Sequence, residues 1–186
     1  MALKATIFKA TLQVADMDRA VYATQALTLA RHPSETDERL MVRLLAWALQ
    51  TPASDDEGAL VFAGGLSDSD EPDLWRHSLD GRLRHWVEVG QPEERRLIRA
   101  CGRADRVTLY CYSNAAPIWW AGVQHKLARL SNLAVWQLPA PQSQALAALA
   151  ARSMQLQVTV QDGQIWVGDA TRSIEIDPIA LQTPAP

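Results

Sequence analysis

Asp80-Gly81 stands between two alternating segments, DLWRHS and RLRHWVEV. An Asp-Gly pair flanked in this way is a strong short-range signal for a β-hairpin. A two-residue turn there fixes the register of both strands. Leu79 falls opposite Arg82, His77 opposite Arg84, Trp75 opposite Trp86 and Asp73 opposite Glu88. Asp73, Trp75, His77, Arg84, Trp86 and Glu88 then share one face, and Leu74, Leu83 and Val87 read as the core side. Directly opposed residues hold their Cβ atoms about 4.5–5.5 Å apart, where like charges repel. Two acids so placed beside two tryptophans need a reason. A shared divalent cation is one, because hard cations take carboxylate oxygens. A shared proton is another.

The hairpin sits inside an ordered series of patterns. KATIFKATLQVA (4–15) alternates as a strand, and VYATQALTLAR returns as a second. Ser34 is the expected N-cap of a helix running to about Leu49, with an acid three residues on. Leu60 to Phe62 is a short strand. Pro92-Glu93-Glu94 opens a helix with negative charge at its positive end. VTLYCYS (107–113) is an apolar strand, and Pro117 starts a further helix. LAVWQL is a strand and QSQALAALAARSM an Ala-rich helix. LQVTVQDGQIWV is a hairpin around Asp162-Gly163, and RSIEID an edge strand. From 34 to 113 the order is α-β-β-β-α-β. A mixed α/β fold follows, with helices on the faces of a sheet that the N- and C-terminal strands complete.

Composition narrows the class. The chain has 186 residues, 48% of them hydrophobic, which suits a single domain over residues 1–186 with a full core. Net charge is −3, so a strongly basic nucleic-acid-coating protein is excluded while a local basic patch is not. Two cysteines, Cys101 and Cys111, make no disulfide framework, and a reduced cytoplasmic protein is expected. The opening residues do not read as a signal peptide, and no apolar run approaches the length of a membrane span.

On a helix beginning at Ser34, Glu38 aligns with Val42, Leu45 and Leu49 on the core-facing arc. A carboxylate there is either the satisfied partner of a nearby group or part of a site.

MALKATIFKATLQVADMDRA, LTLARHPSETDERLMVRLLAW, DEPDLW, VEVGQPEERR, IWW and VTVQDGQIWV closely resemble the YaeQ family of bacterial proteins, over essentially the whole chain. The resemblance implies a variation on the PD-(D/E)XK restriction-endonuclease-like fold, with a core of about 34–113. It implies that Asp73 matches the motif aspartate, Glu88 the acid of the acid-x-lysine element, and Glu38 the helical glutamate. These three would hold Mg²⁺ or Mn²⁺, which would polarise a phosphodiester of DNA or RNA and help form a hydroxide nucleophile. Gly90 stands where the lysine belongs, and Gln91, Arg95, Arg96 and Lys126 are the nearby substitutes. The resemblance also implies a link to the transcription machinery. A protein of this fold that binds without cleaving is the alternative.

Other features have plainer readings. Arg95, Arg96, Arg99 and Arg103 form a stripe, read as a solvated face or as a surface tracking phosphates. Trp119 and Trp120 read as core or core rim. The four histidines and two cysteines show no zinc spacing. The paired glycines of VFAGGLSDSD lack the Lys-Ser/Thr of a phosphate loop.

Overall fold

The structure is a computed structural model and describes residues 5–184. The chain runs β1 (Thr6–Asp16), β2 (Val21–Arg31), α1 (Asp37–Gln50) and β3 (Leu60–Phe62). A 3-10 turn at Gly65–Ser67 follows, then β4 (Leu74–His77), β5 (Leu83–Val89), α2 (Glu94–Arg103) and β6 (Arg106–Cys111). α3 (Ala116–Leu127), β7 (Leu133–Gln137), α4 (Ala140–Ala147), β8 (Ser153–Gln161), β9 (Gln164–Gly168), β10 (Ser173–Ile176) and β11 (Ile179–Gln182) complete it. The order α-β-β-β-α-β from α1 to β6 is the one the sequence patterns give.

The chain divides into two compact units, one of residues 1–53 and 141–177, the other of 54–140 and 178–186. The first is built on a five-stranded mixed sheet in the order β10-β9-β8-β1-β2. Strict alternation in β1 buries Phe8, Ala10, Leu12 and Val14 and turns the intervening side chains outward. α1 is buried from Leu40 to Ala48. Its N-cap is Thr36, whose Oγ1 accepts from the Arg39 amide at 3.1 Å, so the helix begins two residues later than Ser34 predicts. The cap moves because Glu35 is needed inside. Its carboxylate is buried against Arg39 Nη1 at 3.0 Å and Arg43 Nε at 2.7 Å.

The second unit holds a six-stranded mixed sheet, β11-β7-β6-β5-β4-β3. β3, β4 and β5 are antiparallel; β5, β6 and β7 are parallel. Parallel neighbours need a crossover, and α2 and α3 supply the two. Trp86, Leu97, Ala100, Leu109, Leu127 and Val135 form the core between these helices and the sheet. Trp119 and Trp120 pack at its rim.

Two expectations are corrected and one strand is new. The N-terminal strands do not complete one sheet around 34–113; they form a sheet of their own with β8–β10, and only β11 joins the other. β11 follows Pro178 and carries no alternating apolar pattern, so no signal marks it. The Ala-rich helix stops at Ala147, and Ser153–Met154 already belong to β8.

Candidate functional site

The hairpin that carries the acids has the expected outcome through an unexpected path. Its loop holds three residues, Leu79 to Gly81. Ser78 N donates to Arg82 O at 2.9 Å, Gly81 N donates to Ser78 O at 2.9 Å, and Gly81 has φ +85°. This is a turn closed by a left-handed glycine. His77 therefore pairs with Leu83, not with Arg84. A bulge at Arg84 then restores the register, so Arg76 pairs with His85, Trp75 with Trp86 and Leu74 with Val87. One extra loop residue and one bulge cancel. Asp73 arrives beside Glu88, its amide donating to Val87 O at 3.1 Å.

Both acids are buried, Asp73 with 0% and Glu88 with 5% of its surface exposed. Asp73 Oδ2 accepts from the Val89 amide at 2.8 Å. A Cβ on Gly65 would lie 2.9 Å from Asp73 Oδ1, so any other residue would displace the Asp73 carboxylate, and the φ of +52° favours glycine. Glu88 Oε2 accepts from the Trp86 indole at 2.9 Å, and Oε1 from Arg96 Nε at 3.0 Å. Burial, with the charge of Asp73 second, pushes the Glu88 carboxyl up to about 7; Arg96 and the Trp86 indole oppose this.

Arg96 reaches further. Its Nη1 donates to Ser69 O and its Nη2 to Glu71 O at 2.6 Å. Its guanidinium lies 5.7 Å from the Trp86 ring centroid, and that of Arg103 lies 5.3 Å from it. Arg103 Nη1 donates to Asp70 O at 3.3 Å, and Arg99 pairs with Asp70 at 3.5 Å. Three of the four arginines in the stripe are thus turned onto the loop that precedes Asp73.

The YaeQ protein family model matches residues 1–178. The chain belongs to the YaeQ family. It is 49% identical to the YaeQ protein of Salmonella typhi and 47% identical to that of Escherichia coli K12, each alignment spanning 186 residues and the full length of both chains. The crystal structure of YaeQ from Xanthomonas axonopodis pv. citri matches with a TM-score of 0.89 at 44% identity, over 97% of this chain and 99% of that one. The YaeQ structure from Pseudomonas syringae matches with a TM-score of 0.89 at 37% identity, over 96% and 97%.

In this YaeQ family chain the remaining predicted residues have other partners than the acid pair. Gly90 has φ +112°, its amide donates to Tyr110 O at 2.9 Å, and a Cβ there would meet nothing within 4 Å. Gln91 Nε2 donates to Tyr112 O, and Lys126 pairs with Glu94. Arg95 is exposed and borders a shallow recess with Gln91, Pro92, Trp119 and Val123. Glu38 belongs to the first unit, where its Oε1 accepts from the buried Ser143 hydroxyl at 2.7 Å. Among the described residues no group of three or more His, Cys, Asp or Glu side chains is placed to hold a metal ion. The sequence puts Arg96 in a stripe and Trp86 opposite Trp75; the structure gives both to Glu88. Trp86 lies two positions before Glu88 on one strand face, which is a readable signal. Arg96 is one of four nearby substitutes for the missing lysine, and the angle between α2 and β5 decides that it is the one reaching Glu88. Among the described residues no helix is long and apolar enough to cross a membrane.

Proposed function

We propose that this chain is a nuclease-type fold of the PD-(D/E)XK kind that binds a partner without cleaving phosphodiesters. The strand and helix order from α1 to β6 supports the fold. The Arg96–Glu88 pair is the observation that carries the loss of chemistry. A hard cation needs carboxylate oxygens free to face it. Here both Glu88 oxygens have donors, Asp73 Oδ2 takes an amide, and a guanidinium already supplies positive charge. The residues as arranged do not fit a divalent ion. Gly90 supplies no cation, and its φ of +112° disfavours a lysine. The partner is a protein rather than a nucleic acid. Arg96, Arg99 and Arg103 are already engaged by the loop 69–71, which leaves few free cations for phosphates on a chain of net charge −3.

A thermal melt with and without Mn²⁺, run on the parent and on Glu88→Gln, tests this. The expected result is no Mn²⁺-dependent shift in either protein. A rise in Tm with Mn²⁺ that Glu88→Gln abolishes overturns it and makes the acids a metal site.

A further inference from the structure

We infer that β2 is a pairing edge for a second copy of this chain, the two β2 strands running antiparallel about a two-fold axis near Ala26. An edge strand offers unpaired amides and carbonyls, and folded proteins shield such edges with shortness, charge, proline or bulges. The other sheet edges here follow that rule. β3 has three residues. β10 has four and carries Glu175. β11 has four, follows Pro178 and is broken by a register shift between Ala180 and Gln182.

β2 lacks these shields up to its last residue, Arg31. It is eleven residues long, and its pairing with β1 is unbroken from Val21↔Asp16 to Arg31↔Thr6. No charged residue and no proline occurs from Val21 to Ala30. Arg43 Nη2 caps the Ala30 carbonyl at 3.1 Å. From Val21 to Leu29, among the described residues, no hydrogen bond from outside the sheet ladder reaches the backbone. Most side chains of the strand are exposed, Tyr22 at 69%, and Leu27 is only half-buried.

The occupant follows from the strand itself. Centred on Ala26, antiparallel pairing sets Thr24 against Thr28, Tyr22 against Ala30 and Gln25 against Leu27. No like charges meet, and Leu27 is covered. Such an isologous contact closes on itself. A head-to-tail contact would need β10 as partner, and that edge is short and acidic. The two five-stranded sheets would become one continuous sheet. The inference is independent of the acid pair and adds a self-assembly surface to the binding role.

Sedimentation equilibrium of the full chain, from micromolar to millimolar, is the test. The expected mass is twice the 20.5 kDa of the chain. Thr24→Lys with Thr28→Lys should halve that mass while retaining the circular dichroism spectrum of the folded chain, because both side chains face solvent. Thr24→Lys with Thr28→Glu should retain the doubled mass, since opposite charges then face each other across the axis. A parent that is monomeric throughout overturns the inference. So does a double-lysine variant that stays dimeric. Dissociation of both double variants overturns the centring on Ala26.

Discussion

Glu88 sits between an acid and a base, and its neighbours decide what it can do. Strand register alone places it opposite Asp73, so the pair is legible in the residues from Asp73 to Glu88. What the register cannot give is the state of the pair. That depends on Arg96, which arrives from a helix whose angle is set by core packing. Gly90 shows the same limit. The sequence shows a missing lysine; the structure adds a backbone at φ +112°. A side chain there meets open space, so the cost of adding one is conformational, on the order of 1–3 kcal/mol. Gly90→Lys should therefore lower the unfolding free energy measured by urea denaturation by that amount. It should produce no cleavage of DNA or RNA in the presence of Mn²⁺. Cleavage by this variant would mean that only the lysine is missing.

The elements were readable because periodicity is a local property. β1, β2 and the β4–β5 hairpin all follow their alternation. The hairpin loop is one residue longer than Asp80-Gly81 predicts, and the Arg84 bulge offsets it. The two glycines on this segment separate backbone strain from steric conflict. Gly81→Ala has left-handed φ but open space, and should cost about 1 kcal/mol. Gly65→Ala adds a contact at 2.9 Å with Asp73 Oδ1, and should cost distinctly more in the same unfolding assay. Arg96 joins an element to a loop. Removing one partner of a buried ion pair leaves the other charge uncompensated, so Arg96→Met should cost on the order of 3 kcal/mol where Glu88 is ionised. The loss should be larger at about pH 8 than at about pH 5, because Glu88 escapes by taking up a proton. Amide exchange should quicken through the segment 69–71, whose carbonyls Arg96 and Arg103 now hold. Unchanged exchange there would mean that the loop holds itself.

At the scale of the molecule, the split into two sheets was hidden because strand patterns carry no address. β1 pairs in parallel with β8, far along the chain, and no local signal specifies that partner. The strand β5 nonetheless sets a property of the whole chain, its stability against pH, through two buried groups on opposite faces. His85, bonded to Thr108 Oγ1 at 2.9 Å, is pushed down to about 3, by burial first and then by Arg106 and Arg76. The unfolded chain protonates it below about 6.5 and the folded chain does not, so its contribution is lost as pH falls from there. Glu88 works in the other direction. Its folded value of about 7 lies above the ordinary 4.5, so its contribution is complete below 4.5 and is lost as pH rises through 7. Between about 4.5 and 6.5 the two slopes oppose each other, each worth roughly 1.4 kcal/mol per pH unit. Their sum leaves this pair's contribution nearly flat over that window, with a fall below it. Glu88→Gln removes one slope, so stability should then drop by roughly 3 kcal/mol as pH falls from about 6.5 to about 4.5. His85→Gln should do the reverse, gaining stability over the same range. Urea unfolding at a series of pH values reads both slopes directly. Parallel profiles for the parent and both variants would show that neither group titrates as its burial requires.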